Sequence, residues 1–206
     1  MNEPIHIKDR IREKAKELFM QLGVRSVSMD DIASSIGISK KTLYQHYKDK
    51  ESVVSDAIEL VLQISKTNCE KCKKSAENAI HEGFLATQSV TELLKNLNPV
   101  LLYDTKKYTP KAYKKFEQFK EQFLYSVLYE NIEWGIRDGL FRNDININLV
   151  TRLRIETIDL PFQKHFSEQI KTNSGTLQNE LLLLFLYSIA TPQGAQIIND
   201  YKTKTT

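Results

Sequence analysis

Residues 28–50, SMDDIASSIGISKKTLYQHYKDK, constrain the fold more than any other stretch of the chain. Met29, Ile32, Ala33 and Ile36 recur at the spacing of one helix face. Ser28 stands before them as an N-cap, and Asp31, three residues on, completes a capping box. Gly37 then interrupts, and glycine tolerates the left-handed conformation that a tight turn between helices needs. Ser39 caps a second short helix whose apolar positions are Leu43 and Tyr47. Two short helices joined by a glycine-containing turn form a helix-turn-helix, whose second helix lies in the DNA major groove.

With Leu43 and Tyr47 turned inward, the second helix is left with Lys40, Lys41, Thr42, Tyr44, Gln45 and His46 on its other faces. Lysine contacts guanine or phosphate, glutamine pairs with adenine, and hydroxyls bind phosphate. A solvated polar helix inside an ordinary bundle is the bland alternative. The turn, the caps and the polar face together favour the DNA reader. On this reading Lys40, Lys41, Gln45 and His46 are the base-edge candidates, while Ser28, Thr42, Tyr44 and Lys50 grip phosphate or sugar.

The same residues resemble the tetracycline-repressor (TetR) family. Ala15–Gly23 (AKELFMQLG), Ser28–Gly37 (SMDDIASSIG) and Ser39–Lys50 (SKKTLYQHYKDK) look like its N-terminal domain. Phe19 with Gly23 fits the family's Phe-xxx-Gly helix end, the turn is intact, and Leu43-Tyr44-Gln45-His46-Tyr47 is followed by Lys50. Tyr47 stands where the family more often has Phe, which keeps an aromatic core residue. The match covers the first quarter of the chain. The resemblance implies that Lys50 contacts phosphate, and that the first helix supports the helix-turn-helix.

Composition sets the rest of the frame. Seven glycines and five prolines among 206 residues suit a nearly all-helical protein. The net charge of +3 arises in the first 50 residues, with ten Lys or Arg against seven Asp or Glu, while the remainder carries nineteen of each. That excess permits DNA binding without requiring it. No run of 18 apolar residues exists and MNEPIHIKDRIREK lacks a signal-peptide core, so the expectation is a cytoplasmic protein with no membrane segment. Cys69 and Cys72, in CEKC, cannot close a four-ligand zinc site, and no metal or other cofactor is expected. As helical neighbours they leave a thiol redox pair open beside ordinary reduced thiols.

Ile11, Ala15, Leu18, Phe19 and Leu22 predict a first helix over Ile7–Leu22, stopped by Gly23. Asp49 caps a helix reaching about Lys66. Further helices are expected over Ala76–Asn96, briefly over Pro99–Tyr103, from Pro110 to about Asp138, from Asn148 to about Leu160, over Leu177–Ala190, and from Pro192 onward as a short last one. The fold expected is therefore all-α with about nine helices or more: a helix-turn-helix domain over 5–50 (the motif itself about 28–47), linked through helix 49–66 to a helical effector-binding and dimerisation domain over 51–206.

Two features of the second part bear on function. Leu181–Leu186 is apolar nearly all round, which suits either a core or a partner. The resemblance implies a dimer interface of paired late helices, and the candidates are Leu149, Leu153, Leu181, Leu182, Phe185 and Leu186. It also implies an effector pocket in the aromatic region, with Phe116, Phe119, Phe123 and Trp134 as apolar candidates and Glu130, Glu156 and His165 as polar ones. The reading is a homodimeric DNA-binding regulator, most simply a repressor, released from a palindromic double-stranded operator by a partly apolar small molecule. A thiol redox sensor on the same scaffold, through Cys69 and Cys72, is the alternative signal. An enzyme has no motif behind it: there is no phosphate loop, no HExxH and no nucleophile elbow.

Overall fold

The computed structural model describes residues 6–93, 95, 97–98, 100–162, 170 and 172–205. Among them the chain is all-α. The helices are α1 (Ile7–Leu22), α2 (Met29–Ser35), α3 (Lys40–His46), α4 (Lys50–Ser75), α5 (Ala79–Leu93), α6 (Leu101–Tyr108), α7 (Pro110–Gln118), α8 (Tyr125–Arg137), α9 (Ile147–Thr157), α10 (Ser174–Ile189) and α11 (Pro192–Thr205). A π-helical turn, Phe119–Leu124, joins α7 to α8, and a 3-10 turn, Leu160–Phe162, follows α9. None of the described helices is long and apolar enough to cross a membrane.

The caps read from sequence are formed. The Asp31 N–H donates to Ser28 Oγ at 3.1 Å, and the Ser28 N–H donates to Asp31 Oδ2 at 2.7 Å. The Thr42 N–H donates to Ser39 Oγ at 3.0 Å. Gly23 and Gly37 have φ of 81° and 70°, the left-handed region where a side chain is strained. Helix α4 runs nine residues past the expected Lys66, because KTNCEKCKKS holds no breaker and Lys and Glu propagate a helix well. It ends before Asn78, whose Oδ1 accepts the His81 N–H and starts α5 at Ala79 rather than Ala76. The single helix expected from Pro110 to Asp138 is interrupted by the π turn, which brings the neighbours Phe119 and Lys120 inward together. The last helix is not short: α11 has 14 residues.

By packing, the chain divides into two compact units. Met1–Ile64 with Asn96–Gln118 form the first, and Ser65–Lys95 with Phe119–Thr206 form the second. This is a different division from the functional boundary expected at residue 50.

The first unit closes over Ile11, Ala15, Phe19, Ile32, Leu43, Val53, Val54 and Ala57. Tyr47 packs in the same cluster, and its hydroxyl donates to the Asp56 carboxylate on α4. Helix α6 backs the turn after α1: the Arg25 N–H donates to the buried Asp104 at 3.1 Å, and the Asn98 N–H donates to the Met20 carbonyl at 2.6 Å.

The second unit is centred on Ile80, Ile132, Phe141, Leu182, Leu186, Ile189 and Ile198. Helix α10 packs on α5, and α8 packs on α9. A short antiparallel bridge pairs Phe141 with Ala190, flanked by the Arg142 N–H donating to Ile189 O at 2.8 Å and Thr191 N–H donating to Leu140 O at 2.9 Å. Two glycines make this corner possible. A Cβ on Gly135 would stand 2.1 Å from the Phe141 ring, and one on Gly194 would stand 2.1 Å from the Leu140 carbonyl oxygen.

Candidate nucleic-acid interface

Helix α3 is held by one fully buried side chain, Leu43, and by Tyr47 at its C-cap. What it exposes is polar. Lys41, Tyr44 and Gln45 are exposed, while Thr42 and His46 are half-buried. Lys40 is exposed but pairs with Asp30 of α2 at 2.9 Å, so it must exchange that partner to reach a base or phosphate. Thr42 Oγ1 lies 2.9 Å from Ser39 Oγ, within the cap.

Ser28 is occupied too. Its hydroxyl donates to Asp31 Oδ2 at 2.6 Å and accepts from the Asp31 amide. The bonds that the Ser28 hydroxyl and N–H donate to Asp31 hold its carboxyl below its ordinary range. Ser28 thus fixes the start of α2 through both its hydroxyl and its backbone N–H. Lys50, half-buried, directs its Nζ to the Arg25 carbonyl at 3.5 Å. Burial lowers its pKa, against the pull of Asp104 and Asp31. A phosphate there would restore what burial removes.

The effector candidates are not gathered in one place. Phe116 belongs to the first unit, where it packs near Tyr113. Phe119 and Phe123 stack at 5.2 Å in the π turn, with Lys66 Nζ 5.6 Å from the Phe123 ring. Glu130 and Trp134 line a cleft of about 400 Å³ with Lys73, Glu82, Asn131, Glu133 and Arg137. Part of its wall is already matched: Lys73 pairs with Glu130 at 2.6 Å, and Asn131 donates to the buried Glu82 at 2.7 Å. Burial raises the Glu82 pKa. Glu156 is exposed on α9, and His165 lies outside the described residues.

Among the dimer candidates, Leu149 and Leu153 are 65% and 61% exposed on α9. Leu182 and Leu186 are instead buried in the core of the second unit, and Leu181 and Phe185 are half-buried. The apolar run of α10 thus has a core side and a bare side, and the bare side carries Leu184 at 67% exposure, with Tyr187. The pattern of six consecutive apolar residues could not say which were which.

Arg154 was missed by the sequence reading. It stands on the inward stripe of α9 with Thr151, Ile155 and Ile158, and a charged residue on an apolar stripe is a signal that can be read. The thiols go the other way. Burial pushes Cys69 up to about 11, and Cys72 upward as well, so neither is a ready thiolate.

These features define an all-helical regulator that reads DNA through a helix-turn-helix. Residues 11–57 match the family model of bacterial regulatory proteins of the tetR family. It is 22% identical over 159 residues to the HTH-type transcriptional repressor KstR2 of Mycolicibacterium smegmatis, covering 76% of this chain and 78% of that protein. It is 39% identical over 66 residues to an HTH-type transcriptional regulator of Staphylococcus aureus strain USA300, covering 32% of this chain and 36% of that one. Its fold is that of the transcriptional regulator FadR from Bacillus subtilis, solved with stearoyl-CoA, with a TM-score of 0.70, 20% identity and coverage of 88% and 98%. The chain is accordingly a DNA-binding regulator of transcription.

Proposed function

We propose that the protein is a homodimeric repressor that leaves a palindromic operator when a small molecule binds its second unit. The observation that carries this is the α3 surface, with Lys41, Tyr44 and Gln45 exposed on a helix anchored from behind by Leu43. One such helix reads few base pairs, and two related by a two-fold axis read two half-sites. Residues 5–50 are the DNA-binding domain, with Lys40, Lys41, Gln45 and His46 at base edges and Ser28, Thr42, Tyr44 and Lys50 at the backbone. The likeness to KstR2, a repressor by name, supports the direction of control.

Dimerisation is supported by the bare apolar side chains Leu149, Leu153, Leu184 and Tyr187 on α9 and α10. Effector control is supported by the fold shared with FadR, whose structure holds stearoyl-CoA. An effector shifts the DNA-bound state only by its differential affinity for the two states. A place of work in the cytoplasm follows from DNA as partner. The thiol-switch alternative draws no support from Cys69 or Cys72, since burial stabilises their neutral forms.

Selection of bound sequences from a random DNA library tests the reading, with an inverted repeat expected; a single asymmetric half-site would overturn the dimer. On the selected operator, Gln45→Ala is expected to cost about 1–3 kcal/mol at one base position. Lys50→Ala should weaken binding to all sequences and lower the salt slope by about one.

A further inference from the structure

Arg154 is buried, at 6% exposure, yet it takes part in none of the ion pairs among the described residues. Its Nη1 has no hydrogen-bond partner, and its guanidinium lies over the Phe185 ring of α10 at 5.5 Å. Desolvation alone drags its pKa down to about 10, which leaves it charged at neutral pH. Nearby cations are treated differently. Arg152, two residues earlier and exposed, pairs with Glu121, and Lys120 pairs with Asp159 at 2.5 Å. Among the described residues, Arg152 and Lys120 each have a carboxylate partner and Arg154 has none.

A guanidinium removed from water without a counter-charge is among the most unfavourable arrangements a fold can hold. The same low-dielectric setting makes it a strong receptor for an anion, because a planar fork of donors matches a carboxylate or phosphate. Phe185 is one wall, Ile155 is fully buried beside it, and the π turn carrying the Phe119–Phe123 stack packs against α9. π turns recur at functional sites.

We infer that Arg154 anchors the anionic head, a carboxylate or phosphate monoester, of an amphipathic small molecule whose body is apolar. This rests on the effector reading above and names the class of effector. The anion supplies the missing partner of the guanidinium, and the aromatic side chains take the chain or ring attached to it.

The test uses the full-length protein with three probes of equal tail, namely decanoate, decyl phosphate and 1-decanol. Affinity is read by calorimetry and by the rise in melting temperature. The wild type should bind at least one anion about 10- to 100-fold more tightly than the alcohol. Which anion is preferred tells carboxylate from phosphate. Arg154→Met should abolish that preference, leave 1-decanol binding as it was, and melt no lower than wild type without ligand. Arg154→Lys should keep part of the preference. Equal binding of all three probes to wild type, absence of binding, or an undiminished preference in Arg154→Met would overturn the inference. So would a ligand-free Arg154→Met that melts well below wild type while Arg154→Lys does not, since Arg154 would then have a structural partner. Operator binding in the same samples separates the two readings. Anion binding that leaves the operator bound would keep the Arg154 site and break the effector role.

Discussion

The two units distribute polarity in different ways. In the first, apolar side chains from α1 to α4 share one cluster, the caps are occupied by Ser28 and Ser39, and the cations are outside, paired, or near a carbonyl. In the second, an apolar core also encloses charged groups, and apolar side chains lie outside it as well. Arg154, Glu82 and the Lys120–Asp159 pair are buried, while Leu149, Leu153 and Leu184 face outward. The first unit buries one charged group as well, Asp104, and gives it the Arg25 N–H as a partner. The second leaves interactions open that other molecules can close.

The sharpest way to break this contrast is to damage both interiors. Leu43→Ala and Leu182→Ala each empty a buried leucine site and should cost roughly 2–5 kcal/mol in denaturant unfolding. Loss of operator binding is expected for Leu43→Ala at temperatures where the second unit remains folded. A next, smaller effect separates core from bare surface within one helix. Leu184→Ala should change unfolding by no more than about 0.5 kcal/mol at dilutions where the protein is monomeric. In sedimentation it should shift the monomer–dimer balance toward monomer; if it leaves association unchanged and destabilises like Leu182→Ala, the bare face is wrongly assigned.

The smallest effect concerns Glu82, whose folded pKa is raised by burial. A raised carboxylate pKa means the folded state holds the proton more tightly. Its stabilising contribution is complete below the unfolded value, about 4.3, and is lost as pH rises through the higher folded value. Glu82→Gln should flatten that part of the stability–pH curve and leave the most acidic end unchanged. A curve that keeps the wild-type slope would show that Glu82 is not the group responsible.

Local chemistry made the first unit legible in sequence. Ser28, Asp31, Gly37, Ser39 and Leu43 act within a few residues of one another, and each had one structural use. The second unit depends on which helix faces which. That is why Leu182 and Leu184, two residues apart and identical in type, could not be told apart until α5 was seen packed on α10. The π turn escaped because its aromatic spacing also fits an α-helix. Arg154 is legible as a charge on an inward stripe, but its lack of a carboxylate partner depends on how helices far apart in sequence pack.

The bridge between Phe141 and Ala190 has a consequence for how relatives of this chain can diverge. Gly135 and Gly194 sit where a single methyl group would collide with a ring or a carbonyl oxygen. Any lineage that keeps this bridge must keep both glycines, whatever its effector. The aromatic residues proposed to face a ligand and the α3 residues proposed to face an operator are free to drift as targets change. In a mutational scan of this protein, the least tolerant positions outside the DNA reader would then mark a steric knot, and ranking by intolerance would mistake it for the place where the signal is received.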